Sequence, residues 1–179
     1  MNKHKLTFLL AGVLMLFTSM VYGQQDKSKR ASPPAKSSAT TNEGVNITVD
    51  YSSPSVKGRE IWGTKIAEHD KVWRTGANEA TTFTVDKDVM IEGKKLPKGT
   101  YALFTIVPSK GDDITLIFNK VANQWGAYDY KESEDALRVK VKSKKVDDVQ
   151  EKLKFDVQKN GTVDFAWEKL RFSFDVKPA

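Results

Sequence analysis

The sequence predicts an all-β protein, an antiparallel β-sandwich or jelly roll with little helix. Nearly every apolar segment after residue 44 alternates with polar residues at every second position, which is the period of a half-buried strand. Turn signals recur between these segments, and no segment shows a long helical period. Strand patterns alone do not fix how a sheet closes, so a flattened β-barrel is the alternative.

About nine or ten short strands are expected along the chain. Two nearly continuous apolar runs, Tyr101–Val107 and Ile114–Phe118, predict central strands covered on both faces. Strands that alternate regularly are predicted at 45–51, 137–141, 153–157, 163–167 and 170–176. Single helical turns are expected at 66–71 and 147–152.

Turn residues support this division. Asn160-Gly161 stands between two alternating segments, which is a strong signal for a short hairpin. Leu96-Pro97-Lys98-Gly99 combines a proline that fixes φ with a glycine that tolerates positive φ, just before the Tyr101 strand. Gly93 indicates another tight turn.

The first 23 residues have the features of a secretory signal peptide. Lys3 and Lys5 precede an uncharged apolar run, 6–20, and Val21-Tyr22-Gly23 offers residues that suit a cleavage site. The run is short for a membrane span, and a polar segment follows it. We therefore expect a periplasmic or secreted protein with no transmembrane segment in the mature chain.

Residues 24–43 differ in composition from the rest. They are rich in Ser, Pro and Lys without an apolar period, so they cannot bury enough surface to offset the entropy of ordering. This composition predicts a flexible tether, followed by one β-sandwich domain at 44–179. The sequence contains no cysteine, so the domain must rely on its core rather than on disulfides.

The formal net charge of +6 does not indicate a nucleic-acid-binding protein. Most of the excess lies before residue 44, and acidic and basic residues are interspersed after it. No stripe of Lys and Arg with interleaved aromatic residues is present.

The densest group of polar residues lies in Val72–Thr84. Arg74 offers a planar donor fork that suits a carboxylate, sulfate or phosphate, Asn78 can donate and accept, and Glu79 is a possible base. These residues predict a ligand-binding loop. The alternative is structural: Arg74 pairs with Glu79 or another acid, and Asn78 caps the loop.

A second polar and aromatic cluster, Asn123–Tyr130, follows the Ile114 strand. Trp125 and Tyr128 suit a half-wet surface that stacks a sugar or holds a peptide. The alternative is that these rings form the rim of the core.

Residues for metal or cofactor chemistry are scarce. His69, between two acids, suggests a general base, but no nucleophile motif accompanies it. The acidic pairs lack the spacing of a calcium loop, and no dinucleotide or phosphate-loop motif occurs. We expect no metal site and no cofactor.

Four segments together resemble the domain of unknown function 2911 family: Tyr51–Arg59, Val72–Thr84, Leu96–Tyr101 and Phe118–Tyr128. The resemblance runs from about Ile47 to the C-terminus. It implies a compact all-β domain, exported mostly by Gram-negative bacteria, with no established activity, cofactor or catalytic residue.

Two functional hypotheses follow. The first is a cell-envelope binding or structural module for a glycan, small molecule, peptide or protein partner, with Arg74, Asn78, Glu79, Trp125 and Tyr128 on one shared surface. The alternative is a hydrolase that uses Glu79 with Arg74 and a second carboxylate, for which Asp129 and Glu60 are the candidates.

Overall fold

The computed structural model describes Asp26–Ala179, so the signal peptide predicted for residues 1–23 lies outside the described residues. Within these described residues, two single-turn 3-10 helices occur, at Lys27–Lys29 and Glu132–Glu134. The ten strands are β1 Pro34–Thr40, β2 Asn46–Ser52, β3 Val72–Trp73, β4 Thr81–Val85, β5 Val89–Ile91, β6 Lys94–Leu96, β7 Gly99–Ile106, β8 Asp113–Asn119, β9 Asp135–Val157 and β10 Thr162–Pro178. The prediction of an all-β antiparallel fold is confirmed. Within residues 26–179, no helix is long and apolar enough to cross a membrane.

The strands form one antiparallel sheet in the order β1-β2-β4-β7-β8-β9-β10-β5-β6, with β3 paired to the end of β7. Two long strands carry the sheet from one layer to the other. Asp135–Lys142 of β9 pairs with β8, whereas Ser143–Val157 pairs with β10, which in turn pairs with β5 through its last residues. Register shifts flank Glu168, whose φ of 51° marks a bulge, and bulges bend a strand.

Continuity of these two strands was not expected from the sequence. The strands predicted at 137–141 and 153–157 are the two ends of β9, and those at 163–167 and 170–176 both belong to β10. The helical turn expected at 147–152 is wrong because those residues continue β9, and residues 66–71 form turns rather than a helix.

Aromatic rings from the two layers meet in the core. Phe174 of β10 packs against Phe83 of β4 and Phe118 of β8, with ring centroids 5.9 and 6.0 Å apart. Trp167 of β10 stacks on Trp73 of β3 at 5.7 Å. All five rings are buried, so the alternating apolar face of each strand points into a shared interior, as the sequence pattern predicts.

The central strands β7 and β8 are covered on their outer face as well. Phe104 and Ile117 point away from the main core and are fully buried in a second cluster, to which Ala127 and Tyr130 contribute. The two nearly continuous apolar runs are therefore covered on both faces, as the sequence predicts. The 125–130 segment covers part of the outer face.

The tether predicted for residues 24–43 is wrong for Pro34–Thr40. These residues form β1, which pairs with β2 along its whole length, and the Val157 amide donates to Ser37 Oγ at 2.9 Å. The inward residues Ala35, Ser37 and Ala39 are small and only half-buried, so an edge strand of this kind leaves little hydropathy signal.

Candidate functional site

The loop Arg74–Ala80 connects β3 to β4 and closes on itself. The Thr81 amide donates to the Arg74 carbonyl at 3.2 Å, and Thr81 Oγ1 donates to the Thr75 carbonyl at 2.9 Å. A Cβ at Gly76 would lie 2.9 Å from Thr81 Oγ1 and 3.2 Å from the Ser52 carbonyl oxygen. Glycine is therefore needed here for close packing of the loop against β2.

Two residues of this loop other than glycine have left-handed backbones, Thr75 with φ 53° and Asn78 with φ 59°. The left-handed region is unfavourable for a β-branched residue such as Thr. Thr75 is fully buried, and its Oγ1 lies 3.3 Å from the Trp73 carbonyl oxygen and 3.2 Å from Thr105 Oγ1, contacts that hold it there. The loop is thus held in this conformation by its own hydrogen bonds and by close packing.

The second predicted cluster lies directly against this loop. The Gly126 amide donates to the Asn78 carbonyl and the Ala80 amide donates to the Gln124 carbonyl, both at 3.0 Å, and Glu79 forms a β-bridge with Trp125. The structure therefore brings all five predicted site residues to one region of the surface. Arg74 and Tyr128 line one cavity, and Glu79 lines another.

The first cavity, here called the Arg74 cleft, has a volume of about 230 Å³. The loop 126–128 forms one wall: a Cβ at Gly126 would lie 3.0 Å from the Tyr128 ring and 3.8 Å from an Arg74 terminal nitrogen. Tyr128 is 81% exposed. The nine lining residues are Lys65, Ile66, Glu68, Lys71, Val72, Trp73, Arg74, Ala127 and Tyr128.

The electrostatic balance of the Arg74 cleft is positive. Three cations and one carboxylate line it, and no ion pair involves Lys65, Lys71 or Arg74 within residues 26–179. Partial burial lowers the pKa of Arg74, although the nearby Tyr128 acts in the opposite direction. The pairing of Arg74 with Glu79 or another acid, expected under the structural alternative, is not found in the described part of the chain.

Two buried donors at the Arg74 cleft lack acceptors among the described residues. They are Arg74 Nε and the indole Nε1 of Trp73, a side chain that is 5% exposed. Buried polar groups in folded proteins nearly always have a hydrogen-bond partner. The unpaired Arg74 Nε beside a positive cavity indicates a place for an anion or a hydroxyl group, whereas the Trp73 ring packs in the core against Trp167.

Glu79 has the opposite environment. Arg30 Nη1 donates to both carboxylate oxygens at 2.9 and 3.0 Å, and Lys27 Nζ lies 3.0 Å from Oε1. Burial alone would raise the pKa of Glu79, but its own backbone amide, Lys27 and Arg30 together lower it from 4.5 to about 2. The carboxylate is therefore ionised at neutral pH and poorly suited to proton transfer.

Trp125 extends the surroundings of Glu79. It is 54% exposed, and the Arg30 guanidinium carbon lies 5.9 Å from its ring centroid, within cation–π range. A cavity of about 180 Å³ lies beside Glu79 and includes Lys27, Arg30 and Asp50 among its lining residues. We call Glu79 and Trp125 together the acidic–aromatic face.

Asn78 supports the site rather than lining it. Its side-chain amide donates to the Ser32 carbonyl at 3.0 Å and to Ser52 Oγ at 3.2 Å, which ties the N-terminal segment and β2 to the loop. Asn78 lines neither cavity. These contacts join neighbouring segments to the loop and differ from the expected cap, in which Asn78 would bond the backbone of its own loop.

The acids expected to assist Glu79 lie elsewhere. Asp129 and Glu60 are exposed, and neither lines the cavity beside Glu79, whereas Asp50 does and pairs with Lys36 at 3.2 Å. His69 Nδ1 lies 3.4 Å from the Val107 carbonyl, and its ring would be 2.8 Å from a Cβ at Gly63. His69 thus packs a turn, and the hydrolase hypothesis stays a prediction.

Several residues of the site were not expected from the sequence. Lys27 and Arg30 were assigned to a solvated tether, and Lys65 and Lys71 stand in a turn with no motif around them. Folding brings Lys27 and Arg30 to Glu79, and it brings Lys65 and Lys71 to the Arg74 cleft. Among the residues that the structure describes, no group of three or more His, Cys, Asp or Glu is placed to hold a metal ion.

The comparison with protein families gives a match over most of the chain. Residues 32–176 match the family described as "Protein of unknown function (DUF2911)". The match begins upstream of Ile47 and includes β1, in agreement with the pairing of that strand. Comparisons with curated proteins and with solved structures found no significant match. Because the match covers most of the sequence and both loops of the candidate site, the chain belongs to the DUF2911 family.

Proposed function

We propose that this protein is a binding module of the bacterial cell envelope, and that it holds an anionic group of a glycan, peptide or protein partner in the Arg74 cleft. One observation carries the proposal. Arg74 is half-buried with no carboxylate partner among residues 26–179, and its Nε is a buried donor without an acceptor. Leaving a half-buried guanidinium unpaired costs free energy, and a bound anion reduces that cost.

The lining of the cleft suits an oxyanion. Arg74 presents a planar donor fork, and Lys65 and Lys71 add positive charge. The exposed Tyr128 ring supplies an apolar face with a hydroxyl, the combination that often contacts sugars and peptides.

The volume limits the size of the bound group. A cavity of about 230 Å³ is smaller than a typical drug-sized pocket of roughly 300–1,000 Å³. It fits one acidic sugar unit, one acidic side chain or a phosphate. The remainder of a larger partner would lie over Tyr128 and the neighbouring surface.

The test is an NMR titration of the ¹⁵N-labelled protein with two probes, inorganic phosphate and D-glucuronate. We expect saturable shifts of the Arg74 Nε–H and Trp73 indole N–H signals. Arg74→Gln should abolish the Trp73 shift, because it removes the charge and the donor fork.

Arg59→Gln is the matched control, since Arg59 is exposed and donates to the Ser55 and Val56 carbonyls, away from the cleft. It should leave the titration unchanged. The proposal would be wrong if neither probe gave a saturable shift, or if the two variants responded alike.

Export is a second part of the proposal, supported by the charged start and apolar run of residues 1–23. N-terminal sequencing of the protein purified from a periplasmic or culture fraction should begin at Gln24. Recovery in the cytoplasm with Met1 intact would contradict export.

A further inference from the structure

The segment Asp26–Ser32 lies across the acidic–aromatic face. Its 3-10 turn is capped locally, since Asp26 accepts from the Ser28 amide at 3.1 Å. Lys27 and Arg30 then reach Glu79, and Arg30 also lies over Trp125. Three residues separate Arg30 from the first residue of β1, so a short link joins the segment to the sheet.

Polar contacts hold this segment in place. The 3-10 turn has no buried residue, and Ala31 is exposed. Further along, the Asn78 amide donates to the Ser32 carbonyl, and the Ser53 amide donates to the Pro33 carbonyl at 2.9 Å. Residues 26–31 can therefore leave without opening the core, and such a departure would break the ion pairs with Glu79 and the contact of Arg30 with Trp125.

The acidic–aromatic face has the chemistry of a site for a guanidinium group. A carboxylate accepts from Arg30, and an indole ring that is 54% exposed lies beneath the same cation. A carboxylate paired with an aromatic face is a common arrangement for recognising arginine.

We propose that the acidic–aromatic face is a receptor for an arginine of a basic peptide segment in a partner protein, and that residues 26–32 occupy it as an internal competitor. The occupant is identified by what the face already holds, a short segment with Lys and Arg three residues apart. Short flexible links give effective concentrations on the order of millimolar, so the internal segment excludes weaker external ones.

The experiment measures binding of a synthetic peptide with the sequence of residues 26–33 to the protein, followed by the Trp125 indole N–H signal. The K27A/R30A variant, whose face is unoccupied by cations, should bind the peptide saturably. The wild-type protein should bind it at least about tenfold more weakly, because its own segment competes.

Lys29→Ala is the matched control. Lys29 belongs to the same turn but is 84% exposed at its side chain and approaches Asp26, not Glu79. This variant should exclude the peptide as the wild type does. Glu79→Gln added to K27A/R30A should abolish peptide binding.

Three results would overturn the proposal: no peptide binding to K27A/R30A, equal affinity for this variant and the wild type, or binding that persists after Glu79→Gln. If K27A/R30A fails to fold, the single R30A variant takes its place and should bind the peptide with intermediate affinity. This site is separate from the Arg74 cleft, so either proposal can fail without the other.

Discussion

Arg74 and Glu79 lie in one loop, yet each meets a different environment. The Glu79 carboxylate forms ion pairs with Lys27 and Arg30. Arg74 has no acidic partner within residues 26–179 and lines a cleft together with two lysines. A simple Arg74–Glu79 pair would have neutralised both. Because each charge faces a separate cavity, the loop presents an anion-accepting side and a cation-accepting side.

The lowered pKa of Glu79 makes the stability of the fold depend on pH. Its value of about 2 in the folded protein is below the ordinary 4.5, so the ionised carboxylate stabilises the fold above about pH 4.5. That contribution declines as the pH falls through about 2. Carboxyl NMR titration should give a midpoint near 2 for Glu79, rising toward 4.5 in K27A/R30A.

Lys29→Ala controls for the loss of one positive charge from the same turn and should leave the Glu79 midpoint near 2. A midpoint unaffected by K27A/R30A would show that the two cations do not set the pKa.

Among the elements, the strand period and the turns could be predicted from sequence, but the course of the long strands could not. Buried and exposed residues alternate up to Val141 and again from Leu153 within β9. The mostly exposed residues between these two positions show no apolar period. Their pairing with β10 is decided by contacts distant in sequence. The half-buried small residues of β1 explain in the same way why a strand was predicted as a tether.

The hairpin between β9 and β10 depends on a glycine at position 161. Gly161 has φ 90°, and a Cβ there would collide with the Val176 carbonyl oxygen. Gly161→Ala should therefore lower the free energy of unfolding by about 2–4 kcal/mol, combining left-handed strain with overpacking. Urea unfolding measures this.

Gly93→Ala separates the two causes, because Gly93 has φ 76° but nothing within 4 Å of a Cβ. It should cost only about 1–2 kcal/mol, the strain alone. Equal effects of the two substitutions would mean that the turn relaxes away from Val176.

At the scale of the whole molecule, the sheet gathers three distant segments at one surface. Residues 26–32 arrive from the N-terminus, 74–80 from the β3–β4 connection and 124–128 from the connection after β8. The density of polar and aromatic residues made the last two predictable as a shared site. Lys27, Arg30, Lys65 and Lys71 were not predictable, because surface cations acquire a role only through the neighbours that folding gives them.

The most direct test of the central claim, an anion site at Arg74, is the dissociation constant for D-glucuronate measured by calorimetry. A hydrogen bond to a charged group contributes about 1.5–3 kcal/mol, and 1.4 kcal/mol corresponds to about tenfold in affinity. The wild type and Arg59→Gln should therefore bind alike, and Arg74→Gln should bind at least about tenfold more weakly. Equal constants for all three proteins would contradict the claim.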